Sequence, residues 1–581
     1  MRKTLLHVLL IIITGLLIYS NTLNSPFLWD DYPRILENGS IRNQSKVTDC
    51  SGTRYLTVLT FSLNYMIGGF NVTGFHMFNI VVHIGNAVLI YSLLLTIFKT
   101  PLFKETPFSG HSGTLALLSG LLFVSHPVYT QTVTYISQRS TVLVTFFYLS
   151  SLVLFMRAKL SDRRCLSKGH LPYYLMSVIS AAFAMKCKEI SFTLPIVILL
   201  SDRFFYGARQ SFKKSVIYAL PILLTILIIP LSKPQTDFFG RQATGVFKIE
   251  GGAILSDFNS AKLSSLSTIP RGKYILTQFR VIMTYIRLSF LPFNLNLAYD
   301  YPIYHSVFES QILLSCLFLL SLLSISICLF KRSRKTLNCN NLLISFGIFW
   351  FFITLSVESF IVVLNYVIFE YRLYLPSIGL LFLLMGILGY VIPHFGKFKY
   401  ISAVIIIVVI IFSGATFARN EVFKDEMSLW KDVINKAPNN VQAHNNLGLS
   451  MFKRGLIDKA VEEYKAAIRI NPYYAEPYNN LGTLLNRKGL PDDAIEQYKT
   501  ALRIRPDYSE AYGNLGFTYY FYKGRPDKAI EQYQIALEFN PNDATTHLNI
   551  GIAYRTLGLS DKSREHFAIA KRLNPALFKV E

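Results

Sequence analysis

The sequence has 581 residues, 51% hydrophobic, 14% aromatic and 16% charged, with a formal net charge of +23. That length exceeds one ordinary domain, and so apolar a composition fits lipid as the solvent for much of the chain. Lys and Arg sit mostly in short loops between apolar runs, as the positive-inside rule requires, so no nucleic-acid partner is implied; the six cysteines lack CxxC spacing and indicate neither a zinc site nor a disulfide framework.

Residues 4–20 follow Arg2 and Lys3 and run into Asn21-Thr22-Leu23-Asn24 without a small-x-small cleavage site, so they read as a retained first span. Further spans are predicted near 76–98, 113–130, 141–157, 171–186, 190–206, 215–232, 309–330, 341–364, 373–392 and 400–417, making about eleven. With the N-terminus in the cytoplasm, every inner loop is basic. These loops carry Lys99 and Lys104; Arg157, Lys159, Arg163, Arg164 and Lys168; Arg203, Arg209, Lys213 and Lys214; Lys331, Arg332, Arg334 and Lys335; Lys397 and Lys399. Segment 272–291 is apolar but holds Lys273, Arg280 and Arg287, seven apart on one helical face. It reads as a helix lying in the outer interface or lining a wet cavity. The odd number of spans leaves the C-terminal tail outside.

In that tail, Pro438, Pro472, Pro506, Pro541 and Pro575 are separated by 34, 34, 35 and 34 residues, the period of tetratricopeptide repeats. Each unit carries Leu/Ile-Gly, a small residue, an aromatic and a second Ala in phase, as in Leu447-Gly448, Ala460, Tyr464 and Ala467. The predicted architecture is therefore all-α: a polytopic membrane domain over 1–420, a connecting half-repeat over 421–440, and an α-solenoid over 441–577. The four repeats are 441–474, 475–508, 509–543 and 544–577, with the extra residue placed in the turn around 523–526. Asn445, Asn479 and Asn514, near each Leu-Gly, are candidates for holding the backbone of a bound peptide, or merely solvate a helix face.

Polar residues gather on the outward side. Asp30-Asp31 follow the first span; by spacing alone they read first as a solvated loop or helix cap, while two adjacent carboxylates there also suit deprotonation of a hydroxyl or a divalent metal. His76, Asn79, His83 and Asn86 share one helical face, either as an interhelical polar seam or as part of a site. Arg139 lies in a tight outer loop, and Lys188 with Glu189 at the next outer turn. Asp300 and Tyr301 follow the interfacial segment, Glu358 lies within the ninth span, and Glu370 with Arg372 opens the tenth. Arg372 suits a lipid phosphate, or snorkels while paired with Glu370.

On these motifs the chain resembles the transmembrane and tetratricopeptide-repeat O-mannosyltransferases, GT-C type glycosyltransferases, and most of all their bacterial members. The resemblance rests on Asp30-Asp31, the stretch from Arg54 to Asn86, His126-Pro127 through Arg139, Lys188-Glu189, Tyr299-Asp300-Tyr301-Pro302, Glu370-Tyr371-Arg372 and the repeats, in that order. It implies a GT-C-like fold and transfer of a hexose, mannose by analogy, from a polyprenyl- or dolichyl-phosphate carrier. The acceptor would be a protein hydroxyl on the outer face, with inversion at the sugar carbon. It implies Asp30 as base with Asp31 supporting. Arg372, Arg139 and Lys188 would bind the donor phosphate, with Glu189, His76, His83, Asp300, Tyr301 and Glu370 around them. The implied setting is a bacterial inner membrane with periplasmic repeats, or an endoplasmic-reticulum membrane with lumenal ones. The rival reading is a membrane-anchored tetratricopeptide scaffold for an envelope or secretion assembly.

Overall fold

The computed structural model describes residues 2–42, 52, 54–104, 106, 108–162, 170–206, 212–232, 269–362, 366–395 and 398–578. The chain divides into two compact units, the second having its main part from Glu426 onward. Both are built of helices.

In the first unit, each of the eleven predicted spans carries a helix. These are α1 (Arg2–Tyr19), α3 (Val72–Phe98), α4 (Phe108–Ser125), α5 (Arg139–Asp162), α6 (His170–Met185), α7 (Leu194–Phe205), α8 (Phe212–Leu224), α10 (Ser310–Thr336), α11 (Cys339–Ser356), α12 (Ile378–Phe395) and α13 (Phe398–Asn420). A further helix, α2 (Tyr55–Gly68), lies in the first long loop. By length and composition, seven helical segments among the described residues can cross a membrane, or eight if the pair Gly110–Ser125 and Pro127–Thr134, bent by 48°, counts as one. The chain is thus a multi-pass membrane protein, but the count of eleven spans is not reached on these criteria. Helix α7 has only 12 residues, about 18 Å of rise against a hydrocarbon core of about 30 Å. It is held instead by neighbours: Asp202 near its end pairs with Lys159 of α5, both buried. Close backbone approach also binds the bundle. A Cβ on Gly347 of α11 would fall on the Gly379 carbonyl of α12, so only glycine lets those helices meet.

Segment 272–291 forms α9 (Arg271–Phe290). Tyr274 donates to the Glu358 carbonyl at 3.0 Å, Gln278 to the Val367 carbonyl at 2.8 Å and Tyr285 to the Phe369 carbonyl at 3.0 Å, while the His126 ring meets the Ser289 carbonyl at 3.1 Å. Those partners are the end of α11, the start of the segment leading into α12, and the end of α4. From its first turn to its last, α9 touches helix termini at one end of the bundle, so it lies across that end and does not pass through it.

The second unit begins with α14 (Glu426–Lys436) and continues in four helix pairs: α15 (Val441–Lys453) with α16 (Ile457–Ile470), α17 (Ala475–Arg487) with α18 (Pro491–Ile504), α19 (Ser509–Phe517) with α20 (Pro526–Phe539), and α21 (Ala544–Thr556) with α22 (Ser560–Leu573). The recurring glycine has a steric reason. A Cβ at Gly448, Gly482, Gly516 or Gly551 would stand 2.7–2.8 Å from the ring of Tyr464, Tyr498, Tyr533 or Phe567. The extra residue of the third repeat does not sit in the turn. It is taken up in a π-helical stretch, Thr518–Tyr522, that extends α19; one wider turn absorbs a residue without breaking the helix.

Candidate functional site

The first loop is fixed by its second carboxylate. Asp31 is 1% exposed. Its Oδ2 accepts the Leu28 amide at 3.0 Å and its Oδ1 the Ser137 amide at 2.7 Å, tying the loop to the turn before α5. Burial pushes the Asp31 carboxyl up to about 7, against the pull of those two amides. Asp30 is placed differently. Its amide donates to the Tyr135 hydroxyl at 2.7 Å, while its carboxylate stays 30% exposed and meets Arg34 Nη2 at 3.3 Å. The preceding residue, Trp29, has φ 36°, a left-handed backbone that costs a tryptophan roughly 1–3 kcal/mol. A strained turn thus directs one acid inward and leaves the other accessible.

Arg34 lines a pocket of about 100 Å³ that also takes in Arg54, Lys188, Glu189, Glu358 and Tyr371. Three ion pairs touch it. Besides Arg34–Asp30, Arg54 pairs with Glu189 at 3.3 Å and Lys188 with Glu358 at 2.7 Å. Lys188 also donates to Thr141 at 3.0 Å and sits 4.6 Å from the centre of the Tyr371 ring. The Lys188–Glu358 pair is almost fully buried, at 7% and 8% exposure, whereas Arg34 and Arg54 keep 45% and 37%. The Arg54 Nε has no hydrogen-bond partner among the described residues. The pocket walls carry three cations against two acids.

The other candidates stand elsewhere. Arg372, expected to hold the donor phosphate, is 1% exposed, and its terminal nitrogens donate to Tyr274 at 3.2 Å, the Val367 carbonyl at 3.0 Å and the Tyr366 carbonyl at 2.9 Å. Nor does it pair with Glu370, which accepts the Asn296 amide at 2.5 Å and meets Arg419 at 3.5 Å. Arg139 is fully buried between the rings of Phe61 and Phe78, 4.3 and 4.4 Å away, and all three of its nitrogens donate, to Asn79, Asn64 and the Phe75 carbonyl. All three Arg139 nitrogens thus meet protein oxygens, as do both terminal nitrogens of Arg372, whose Nε has no hydrogen-bond partner among the described residues.

The polar seam of α3 is interhelical. His76 bonds the Ser25 carbonyl at 2.9 Å and His83 the Tyr374 hydroxyl at 2.6 Å, while Asn86 donates to the Val142 carbonyl at 3.0 Å. None of these side chains lines the pocket. Tyr301 shares a hydrogen bond of 3.0 Å with Thr284, and Asp300 is exposed. Among the described residues no three His, Cys, Asp or Glu side chains converge as a metal site would require.

In the repeats, the three asparagines join units to one another. Asn480 donates to Asn445 at 2.9 Å and Asn514 to Asn479 at 3.0 Å, and Asn479 in turn donates to Glu510 at 3.3 Å. Asn445 and Asn479 are buried; the 34-residue period makes Asn514 the counterpart of Asn480, not of Asn479, in the sequence. A groove of about 490 Å³ opens beside α18, α19 and α20, lined by Glu496, Lys499, Arg503, Tyr512 and Tyr519.

A family model described as TPR repeat matches residues 451–489, 491–520 and 520–558. The similarity to whole proteins extends further. Protein O-mannosyl-transferase TMTC4 of Mus musculus is 25% identical over 502 residues, covering 78% of this chain and 64% of its own length. The chain is a homologue of the transmembrane and tetratricopeptide-repeat O-mannosyltransferases. Protein O-mannosyl-transferase TMTC1 of Homo sapiens is likewise 25% identical over 511 residues, covering 78% of this chain and 54% of its own length. The chain spans a little under two-thirds of the length of the first of these curated relatives. Among solved structures, the crystal structure of MamA is 29% identical, covers 26% of this chain and 90% of its own, and has a TM-score of 0.24.

The sequence pattern alone did not single out Arg34. The available signal was its spacing of four from Asp30, which places both on one helical side. Glu358 stood out only as an acid at membrane depth; its partner Lys188 lies 170 residues earlier, a pairing no local pattern shows.

Proposed function

We propose that the chain is a glycosyltransferase. It moves a hexose, mannose by its relatives' names, from a polyprenyl- or dolichyl-phosphate carrier to a protein hydroxyl on the periplasmic or lumenal face. One observation carries this reading: an accessible carboxylate, Asp30, stands beside a pocket walled by three cations, two of them with guanidiniums still partly open. Asp30 takes the proton of the acceptor hydroxyl as its oxygen bonds to the sugar carbon. The bond from that carbon to the carrier phosphate breaks, and Arg34 and Arg54 hold the departing anion, with Lys188 behind them. The donor-phosphate role thus passes from Arg372 and Arg139 to Arg34 and Arg54. Asp31 supports by fixing the loop.

Ligand pockets usually measure about 300–1,000 Å³, and this one is smaller. We infer that the partly exposed Arg34–Asp30 and Arg54–Glu189 pairs open when the donor phosphate arrives, which frees the base at the same moment. The repeats hold the acceptor, and the groove beside Tyr512 and Tyr519 is the surface offered for it. The test is transfer in proteoliposomes holding the full chain, given dolichyl-phosphate mannose and a serine- and threonine-rich acceptor. Alkali-labile mannosyl-serine or mannosyl-threonine should form. No transfer from any lipid-phosphate hexose would overturn the reading.

A further inference from the structure

Helix α9 has three faces. Tyr274, Gln278 and Tyr285 point to one side and are buried against the bundle. Ile275, Met283, Ile286 and Phe290 follow around the helix and are half-buried or exposed. Lys273, Arg280 and Arg287 complete the circle, drifting only about 20° per step of seven. Lys273 and Arg280 are half-buried and Arg287 is exposed. None of the three has a side-chain hydrogen-bond or ion-pair partner among the described residues. Across the short turn after the helix, Leu291 and Phe293 are 55% and 67% exposed.

A helix laid across the end of a membrane bundle, with one face on protein, the next apolar and the third cationic, sits where acyl chains give way to headgroups. We propose that the row Lys273–Arg280–Arg287 binds the phosphates of anionic phospholipids in the leaflet at that end. The row runs about 21 Å along the helix. Three cations without counter-ions among the described residues are complementary to a row of lipid phosphates, and each such cation near an anionic surface favours binding roughly fivefold. None of the three cations lines the proposed pocket, and their binding of lipid does not depend on the transfer reaction.

The experiment is native mass spectrometry of lipids retained by the full chain from nanodiscs of mixed phosphatidylcholine and phosphatidylglycerol. The native protein should retain phosphatidylglycerol preferentially, and added salt should weaken the preference. Lys273→Gln/Arg280→Gln/Arg287→Gln should lose it, by roughly fivefold per cation removed. Arg287→Gln alone, at the exposed end, should show a single step of that size if the triple variant fails to accumulate, and Arg287→Lys should restore it. Equal retention by native and neutralised proteins with the same melting behaviour overturns the proposal. So does complete displacement of phosphatidylglycerol by stoichiometric polyprenyl phosphate, since the row would then belong to the sugar carrier.

Discussion

The Asp31 carboxylate accepts the Ser137 amide at 2.7 Å, joining the first loop to the turn before α5. Its neighbour Asp30 is left facing Arg34 with 30% of its side chain exposed. Two acids that look equivalent in sequence have different surroundings. Asp30→Asn should lower turnover by a factor on the order of 10²–10⁴ with donor binding nearly unchanged. Asp31→Asn presents an NH₂ group to one of two buried amides, so it should destabilise the chain by about 1–3 kcal/mol per lost bond. Turnover per folded molecule and thermal melting separate the two. If Asp31→Asn melts normally and alone abolishes transfer, the base has been misassigned.

The arginines divide in the same way. Arg54→Lys keeps charge but loses the planar fork, so donor affinity and turnover should fall together by about tenfold. Arg372→Gln removes donors from the Tyr366 and Val367 carbonyls, and should instead reduce accumulation and melting temperature by leaving buried acceptors unpaired. Binding of a fluorescent polyprenyl phosphate measures the first effect. Normal accumulation of Arg372→Gln with donor binding lost would return the phosphate to Arg372.

The side of the membrane is open to a direct label. Tyr473, 77% exposed between the first two repeats, can be replaced by cysteine in a background with the native cysteines removed. An impermeant maleimide should modify Tyr473→Cys in intact cells or sealed lumen-out vesicles. Protection until lysis would put the repeats in the cytoplasm and the proposed acceptor groove on the wrong side.

Within the repeats, His444 meets Glu463 at 2.7 Å, and that hydrogen bond raises the imidazole above its ordinary value. A raised folded-state value means the charged pair stabilises fully below the unfolded histidine's pKa and is lost as pH rises through the folded one. Hydrogen exchange in α15 and α16, corrected for intrinsic rates, should therefore show protection declining from about pH 6 upward. His444→Gln should flatten that trend; an unchanged slope would remove the pair as its cause.

A methyl group tests the helix-pair packing. At Gly482 a Cβ would lie 2.8 Å from the Tyr498 ring, so Gly482→Ala should cost about 1–3 kcal/mol by overpacking. Combining it with Tyr498→Leu should recover part of the loss. Strictly additive losses in the unfolding of the repeats would show that the ring is not what excludes the methyl group.

By itself the sequence determined the repeats, because Leu-Gly, Ala, Tyr and Pro recur in phase and each serves the same contact in every unit. It also located the eleven helical stretches and the cationic stripe of 272–291, since apolar runs and a charged face are local properties. The disposition of Asp30 and Asp31, of Arg372 and Arg139, and of the asparagines was decided only by tertiary structure. A carboxylate or guanidinium takes its role from the partners that reach it, and Ser137, Val367, Asn64 and Glu510 arrive from distant parts of the chain. The span count rests on length and composition: among the described residues seven or eight helical segments are long and apolar enough to cross, and segments such as α7, with Asp202 and Arg203, fall outside that set.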